Sequence, residues 1–578
     1  MSLCPRPPRP VVALFLLGAI GCASTTIAAE FVRIEKVELD ELHSVPFRLR
    51  RDVTVHVEAE GAGDPEHGDL YAYGWILDRR SRQVVWQLDT DESGRGPGTN
   101  YSWKGDLQLK AGDYTAYFAP FTQHYRTIHL FGKDLARIYI KRDGKKPRES
   151  KRWGLRLAVD DALVTAVEVQ HDPPPVEEVR RFVDLTPMGN DAFESHGFRL
   201  PERMRITVYC QGEFADRNRG AVDGGCIMDA ETREVVWEFG PDNFKHGGGD
   251  SKNKVSREII TLPAGAYVAS YATDDSHSHD SWNAPPPHDP DGWGMMLTAD
   301  SEAQAARIGK YTDADDAART LVSLIRIGDG RTASIGLTLR KPTRLRVYCI
   351  GEHGGHEFVD YGQIDHFGGD NLWSMTEANT RHAGGAQKNR IADEMVQFAP
   401  GDYVVSYVTD DSHAWGAWNA SPPCDARRWG ISLMSPVDLG ANDFKTFDPA
   451  SRSEEGKDTL ARLVRVRNSQ HLRQRFTMAK PGRVHILALG EGMYSEMHDY
   501  GWIEAVPSGQ WVWEMTMRNT RHAGGAEKNR IFNGTIMLDA GEYEVHYVTD
   551  DSHAWNQWNE EKPTRYDNWG ISITPDAR

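Results

Sequence analysis

Arg205-Ile206-Thr207-Val208-Tyr209, Arg346-Val347-Tyr348-Cys349-Ile350 and Val484-His485-Ile486-Leu487-Ala488 are three versions of one short alternating segment. Alternation with a period of two puts successive side chains on opposite faces of an extended strand. Further runs flank this segment in a fixed order. One holds Tyr73-Gly74-Trp75-Ile76 and Tyr500-Gly501-Trp502-Ile503; another holds Val84-Val85-Trp86, Val235-Val236-Trp237 and Trp511-Val512-Trp513. A glycine turn and a strand follow at Ala111-Gly112-Asp113-Tyr114, Ala264-Gly265-Ala266-Tyr267, Pro400-Gly401-Asp402-Tyr403 and Ala540-Gly541-Glu542-Tyr543. Trp153-Gly154, Trp293-Gly294, Trp429-Gly430 and Trp569-Gly570 close the units, and Phe31, Phe182, Leu324 and Leu463 open them. The period of about 140 residues is too long for a solenoid and right for tandem domains.

Short strands separated by Gly, Pro and Asn predict an all-β chain: four tandem antiparallel β-sandwiches of jelly-roll type. The expected organisation is a leader over 1–29, a diverged first repeat over 30–160, and repeats over 172–300, 320–436 and 460–576. Acidic linkers run from Asp161 to Val179, Ser301 to Ala318 and Ser435 to Thr459, with helical turns expected near Asp315 and Glu454 and a stiff extended segment from Asp172 to Pro175. The strand order and the Ala-Gly-x-Tyr turn resemble, in outline, the bacterial pre-peptidase C-terminal domain. That resemblance implies small β-sandwiches appended to secreted enzymes, some of which bind calcium or matrix polymers. It does not extend to the polar motifs below and carries no functional residue across.

At the N-terminus, Arg6 and Arg9 precede the apolar run Val11 to Ile20, and small residues follow. This is the pattern of a secretory signal peptide, too short to span a membrane, with cleavage expected after Ala28 or Ala29. Ala19-Ile20-Gly21-Cys22 also resembles a lipobox, with Ala19 where Leu is usual, which would put a lipid anchor on Cys22. The expected location is periplasmic or extracellular, with no later segment long and apolar enough for a transmembrane helix. The net charge is −17, or −19 without Arg6 and Arg9, and no basic stripe offsets it, which argues against nucleic acid as a partner. Cys210 and Cys349 share a repeat position that is Ala488 in the fourth, so a small buried residue explains them; a Cys210–Cys226 disulfide is the alternative that export would permit.

The polar motifs go beyond what a repeated core requires. Asp274-Asp275-Ser276-His277, Asp410-Asp411-Ser412-His413 and Asp550-Asp551-Ser552-His553 are identical. Each follows a second motif, at His246-Gly247-Gly248, His382-Ala383-Gly384-Gly385 and His522-Ala523-Gly524-Gly525, with Lys252-Asn253, Lys388-Asn389 and Lys528-Asn529 between them. The first repeat has neither motif, so the fold does not require them. On a strand, Asp411 and His413 would share a face and could meet His382. This makes His246, Asp275 and His277, His382, Asp411 and His413, and His522, Asp551 and His553 candidate metal ligands, for zinc through the histidines or calcium through the carboxylates. The plain alternative is a clamp in which Arg390 pairs with Asp410 or Asp411. A Gly-Gly backbone nest for an anion is a third reading.

Trp282 and Asn283, Trp415, Trp418 and Asn419, and Trp555, Trp558 and Asn559 follow the acidic motif closely. With Asp274, Asp410 and Asp550 they have the makeup of a sugar-binding surface, in which rings stack and polar groups hold hydroxyls. The tryptophans serve equally well as plugs for the open end of a sandwich. No nucleophile, zinc-protease or phosphate-loop pattern occurs. Three equivalent sites in tandem fit avidity better than catalysis. The function expected from sequence is therefore an exported, multivalent binding protein for a glycan or another surface polymer. A structural array without a ligand site is the second reading and a metal-dependent hydrolase the third.

Overall fold

The computed structural model describes residues 28–576 apart from 64–69, 91–92, 96–99, 122, 131–132, 142–147, 172, 174–178, 217–219, 280, 313–318, 356, 368–370, 441, 450–458, 561 and 564. The leader with Cys22, the linker segments near Asp315 and Glu454, and most of the proline segment lie outside the described residues. The rest is almost entirely antiparallel β-structure, and no described helix is long and apolar enough to cross a membrane.

In the second repeat eight principal strands run Arg181–Leu185, Phe193–Leu200, Met204–Asp216, Gly224–Asp229, Val235–Glu238, Asn253–Leu262, Gly265–Ala272 and Gly294–Ala299. One sheet has the order first, eighth, third, sixth; the other has second, seventh, fourth, fifth. That is the winding of a jelly roll. The fourth repeat follows it from Ala461–Val464 to Gly570–Pro575. The first and third repeats do too, except that their third and fourth strands pair briefly and join the two sheets. The quoted alternation supplies the core: Val347, Cys349, Ile364, Val405, Tyr407, Ile431 and Leu433 lie between the sheets of the third repeat. Trp293, Trp429 and Trp569 are completely buried.

The linkers are less loose than their composition suggests. Val167–Val169, Gly309–Lys310 and Phe444–Phe447 each add an edge strand beside the second strand of the repeat they leave, covering backbone groups that would otherwise form a free sheet edge. Short helical turns also form in the linkers, at Asp161–Ala166 and at Glu302–Ala305; the second is capped by Ser301, whose side chain accepts the Gln304 N–H.

The chain divides into two compact units. One contains Leu42–Pro120 and Lys145–Val176 and carries the first repeat. The other contains Phe121–Gly144 and Glu177–Arg578 and carries the second, third and fourth repeats. Within this second unit the repeats are locked together. Cys226 is disulfide-bonded to Cys424, with Cα atoms 6.0 Å apart. Arg233, almost fully buried, pairs with Asp425 at 3.3 Å, and the Gly385 N–H donates to the Glu238 carboxylate. Arg565 pairs with Asp365 at 3.2 Å and Arg530 with Glu357 at 2.6 Å. Cys210 and Cys349 are free and buried, as expected for small core residues. The Cys210–Cys226 alternative does not form: Cys210 and Ile227 belong to the core, so Cys226, next to Ile227, points out of the opposite sheet.

Candidate functional site

The polar motifs meet at one end of each sandwich. The ends of the third and seventh strands and the starts of the fourth, sixth and eighth strands come together there. The Asp-Asp-Ser-His segment is a loop after the seventh strand, not part of the strand. Its histidines take left-handed backbone conformations, with φ of 55° at His277, 53° at His413 and 48° at His553. This turns each imidazole inward until it is fully buried. Nε2–H then donates to the side-chain oxygen of Asn253, Asn389 and Asn529 at 2.6, 2.7 and 2.7 Å. The asparagine orientation is set by its own amide, which donates to Gly248 O and Pro285 O in one repeat and to Gly384 O and Ser421 O in the next. Two tryptophans pack edge-on to each ring: Trp418 at 5.1 Å and Trp429 at 5.8 Å for His413, with the same pair of contacts around His277 and His553. Burial, with the nearby lysine ammonium, pushes His413 down to about 3 and His553 down to about 4. Both rings are neutral at ordinary pH.

A second group is acidic. Asp223, Asp360 and Asp499, all completely buried, stand at the head of the fourth strand. Each accepts the backbone N–H of the first motif aspartate (Asp274, Asp410, Asp550) and the indole N–H of the closing tryptophan (Trp293, Trp429, Trp569). Glu213, Glu352 and Glu491, at the end of the third strand, pair with Lys252, Lys388 and Lys528 at 3.2, 2.9 and 3.1 Å. The same lysines donate to Asn283, Asn419 and Asn559. In the third and fourth repeats the three carboxylates converge, as Glu352–Asp360–Asp410 and Glu491–Asp499–Asp550, with ligand atoms within 4.8 Å of one another. Burial, reinforced by the adjacent carboxylates, raises Asp360 well above the usual carboxylate range and pushes Asp499 up to about 8. Such a trio offers oxygen ligands of the kind calcium takes, although a lysine already holds part of each glutamate.

The structure does not assemble the metal-ligand sets expected from sequence. His246, His382 and His522 point Nε2 at the carbonyls of Asp250, Ala386 and Ala526, 3.1 Å away in each case. His277, His413 and His553 are turned onto their asparagines, and Asp275, Asp411 and Asp551 are exposed. No convergent trio among the described residues contains a motif histidine. The cause is the left-handed turn at the histidine, which abolishes the strand alternation that would have placed Asp411 and His413 on one face. The expected clamp of Arg390 on Asp410 or Asp411 does not form: Arg390 donates to Thr380 O, and the ion pair that stands here is Lys388 with Glu352. Of the Gly-Gly pairs, Gly385 in the third repeat donates its N–H to the Glu238 carboxylate of the preceding repeat.

The tryptophan platform is also modified. Trp282, Trp418 and Trp558 are half-buried against the core. Trp415 and Trp555 are half-buried too, with the Arg326 guanidinium over one ring at 5.6 Å and those of Arg465 and Arg467 over the other at 5.7 and 5.6 Å. Asn283, Asn419 and Asn559 are exposed; Asp274, Asp410 and Asp550 are half-buried, and each accepts the N–H of the motif serine.

Sequence reasoning missed the buried glutamate and aspartate. Their signal was present in the Gly-Glu pairs at 212–213, 351–352 and 490–491 and in the aspartates two residues ahead of Gly225, Gly362 and Gly501. The first repeat makes them conspicuous, because strand register puts Ala62 in place of the glutamate, Ala72 in place of the aspartate and Phe121 in place of the first motif aspartate. All three are buried, and the Trp153 indole donates instead to Asn100, at 3.2 Å.

No protein-family model matches this chain, and no curated protein matches it at significant similarity. The outline resemblance noted above rests on strand order and the Ala-Gly-x-Tyr turn.

Proposed function

We propose that the chain is a non-catalytic structural array working outside the cytoplasm, in which the recurring polar motifs brace the second, third and fourth jelly rolls. The observation that supports this most directly is the bonding of the motif itself. In all three repeats the histidine is completely buried and donates to an asparagine that in turn holds the loop backbone. A side chain held this way binds no outside ligand without breaking the loop. Within the second unit, the ion pairs and the disulfide that join the second, third and fourth repeats favour a stiff array of these three over beads on a flexible chain.

A second reading, attachment to a glycan or another surface polymer, draws on the rim of the same loops. Asp411, Asn419 and half-buried Trp415, with counterparts at Asp551, Asn559 and Trp555, recur side by side. Retention of the full chain on insoluble polysaccharides and on peptidoglycan separates the two readings, using Asp411→Ala/Asn419→Ala/Asp551→Ala/Asn559→Ala as the comparison. The structural reading expects parent and variant to be retained equally. Retention of the parent alone, at an unchanged melting temperature, would overturn it in favour of polymer binding.

A further inference from the structure

The outward face of the fourth repeat's second sheet carries a cluster unrelated to the recurring motifs. Trp502 lies directly across from His546, and Glu504 directly across from Glu544, on neighbouring antiparallel strands. The matching pairs are Cys226 with Ser270 and Met228 with Val268 in the second repeat, and Gln363 with Ser406 and Asp365 with Val404 in the third. There the same face packs on the following repeat, through Cys424 and Arg565. Among the described residues, only the fourth repeat places two glutamates and a histidine on it.

The geometry points to a zinc-class metal site formed by Glu504, Glu544 and His546. His546 Nε2 lies 3.4 Å from Glu504 Oε1 and 3.5 Å from Glu544 Oε2. A tetrahedral zinc ion with bonds of about 2.0–2.1 Å separates its ligands by about 3.4 Å. The His546 side chain is buried, only 8% exposed, and its Nε2 has no hydrogen-bond partner among the described residues. The other ring nitrogen, Nδ1, is 3.2 Å from His471 Nε2. Donation from Nδ1–H to His471 leaves the Nε2 lone pair facing the two carboxylates, the outer-shell arrangement that orients a metal-binding histidine. Trp502 stacks on the ring at 4.7 Å with an interplanar angle of 1°, which holds its plane. Glu544 is anchored separately. Its Oε1 accepts from Arg475 at 3.0 Å, and Arg473 lies 3.9 Å from Oε2. Directly opposed glutamates repel across a ladder, and a divalent cation between them removes that repulsion. The part-exposed Glu504 gives the site an approach from solvent.

The test uses the full chain, stripped with chelator and dialysed, then titrated with zinc against a chromophoric competitor and with cobalt for its tetrahedral absorption. The parent is expected to bind one equivalent at this site. Glu504→Gln, a change at a part-exposed side chain, should lose that equivalent, its cobalt spectrum and the zinc-induced rise in melting temperature. His471→Ala should weaken binding by about 10- to 100-fold. If the parent takes up no zinc, the trio is an ordinary ion-paired histidine and the inference fails. It also fails if Glu504→Gln and His546→Gln bind zinc as the parent does.

Discussion

His413 shows how one residue holds a repeat together. Its left-handed backbone, its bond to Asn389 and its two tryptophan neighbours depend on one another. His413→Ala removes the donor that Asn389 Oδ1 needs and opens space between the rings, so it should destabilise the third repeat by about 2–4 kcal/mol, read as a lower urea midpoint. The titrations make opposite predictions in one repeat. His553 sits at about 4 in the fold against 6.5 when free. Its stabilisation is therefore present above pH 6.5 and is lost as pH falls through about 4, on the order of 3 kcal/mol in all. Asp499 sits at about 8 against 3.8. Its contribution is present below pH 4 and is lost as pH rises through about 8. Urea unfolding of Asp499→Asn between pH 6.5 and 8.5 should show a flatter decline than the parent; an identical slope would mean that Asp499 titrates normally. His553→Gln should likewise lose less stability than the parent between pH 6.5 and 4.

At the scale of elements, the loops are shaped by close approach. A Cβ on Gly249, where φ is +64°, would lie 1.9 Å from Pro286 O. Gly249→Ala should thus cost at least about 2 kcal/mol, from left-handed strain plus displacement of the proline loop, and should expose the loop to protease. The carboxylate cluster is a unit of the same kind. Asp360→Ala leaves the Trp429 indole and the Asp410 N–H without their acceptor, a loss of about 2–3 kcal/mol by denaturant unfolding. The first repeat suggests the repair: adding Glu352→Ala and Asp410→Phe, which copies Ala62, Ala72 and Phe121, should recover part of that loss, because replacing a whole buried polar group costs less than breaking it.

Across the whole molecule, the second unit is stiff because covalent and ionic links fall at the same junction. The Cys226–Cys424 disulfide closes a span of 198 residues, long enough for several kcal/mol of unfolded-state restriction. Cys226→Ser/Cys424→Ser should lower the melting temperature of the second and third repeats and speed cleavage near their junction, while the fourth repeat, joined through Arg565–Asp365 and Arg530–Glu357, keeps its own transition. Reduction of the parent should reproduce the effect. Unchanged proteolysis would show that Arg233–Asp425 and the packing around it suffice.

The jelly-roll class and the number of repeats were legible in the chain itself, since period-two alternation is a local property and recurs at Arg205, Arg346 and Val484. The importance of the Asp-Asp-Ser-His and Gly-Gly motifs was legible for the same reason: identical polar residues at equal spacing stand out without any structure. Their partners were not. Whether His413 meets Asp411 or Asn389 depends on a single left-handed φ, and which strand ends share one end of a sandwich depends on long-range pairing. Glu352 and Asp360 looked like ordinary strand-end carboxylates until folding buried them beside Asp410. Cys424 and the Glu504–Glu544–His546 cluster come from contacts between repeats and between strands far apart in sequence. Local pattern therefore determined the kind of fold, and only the tertiary structure decided which polar groups lost their water and what replaced it.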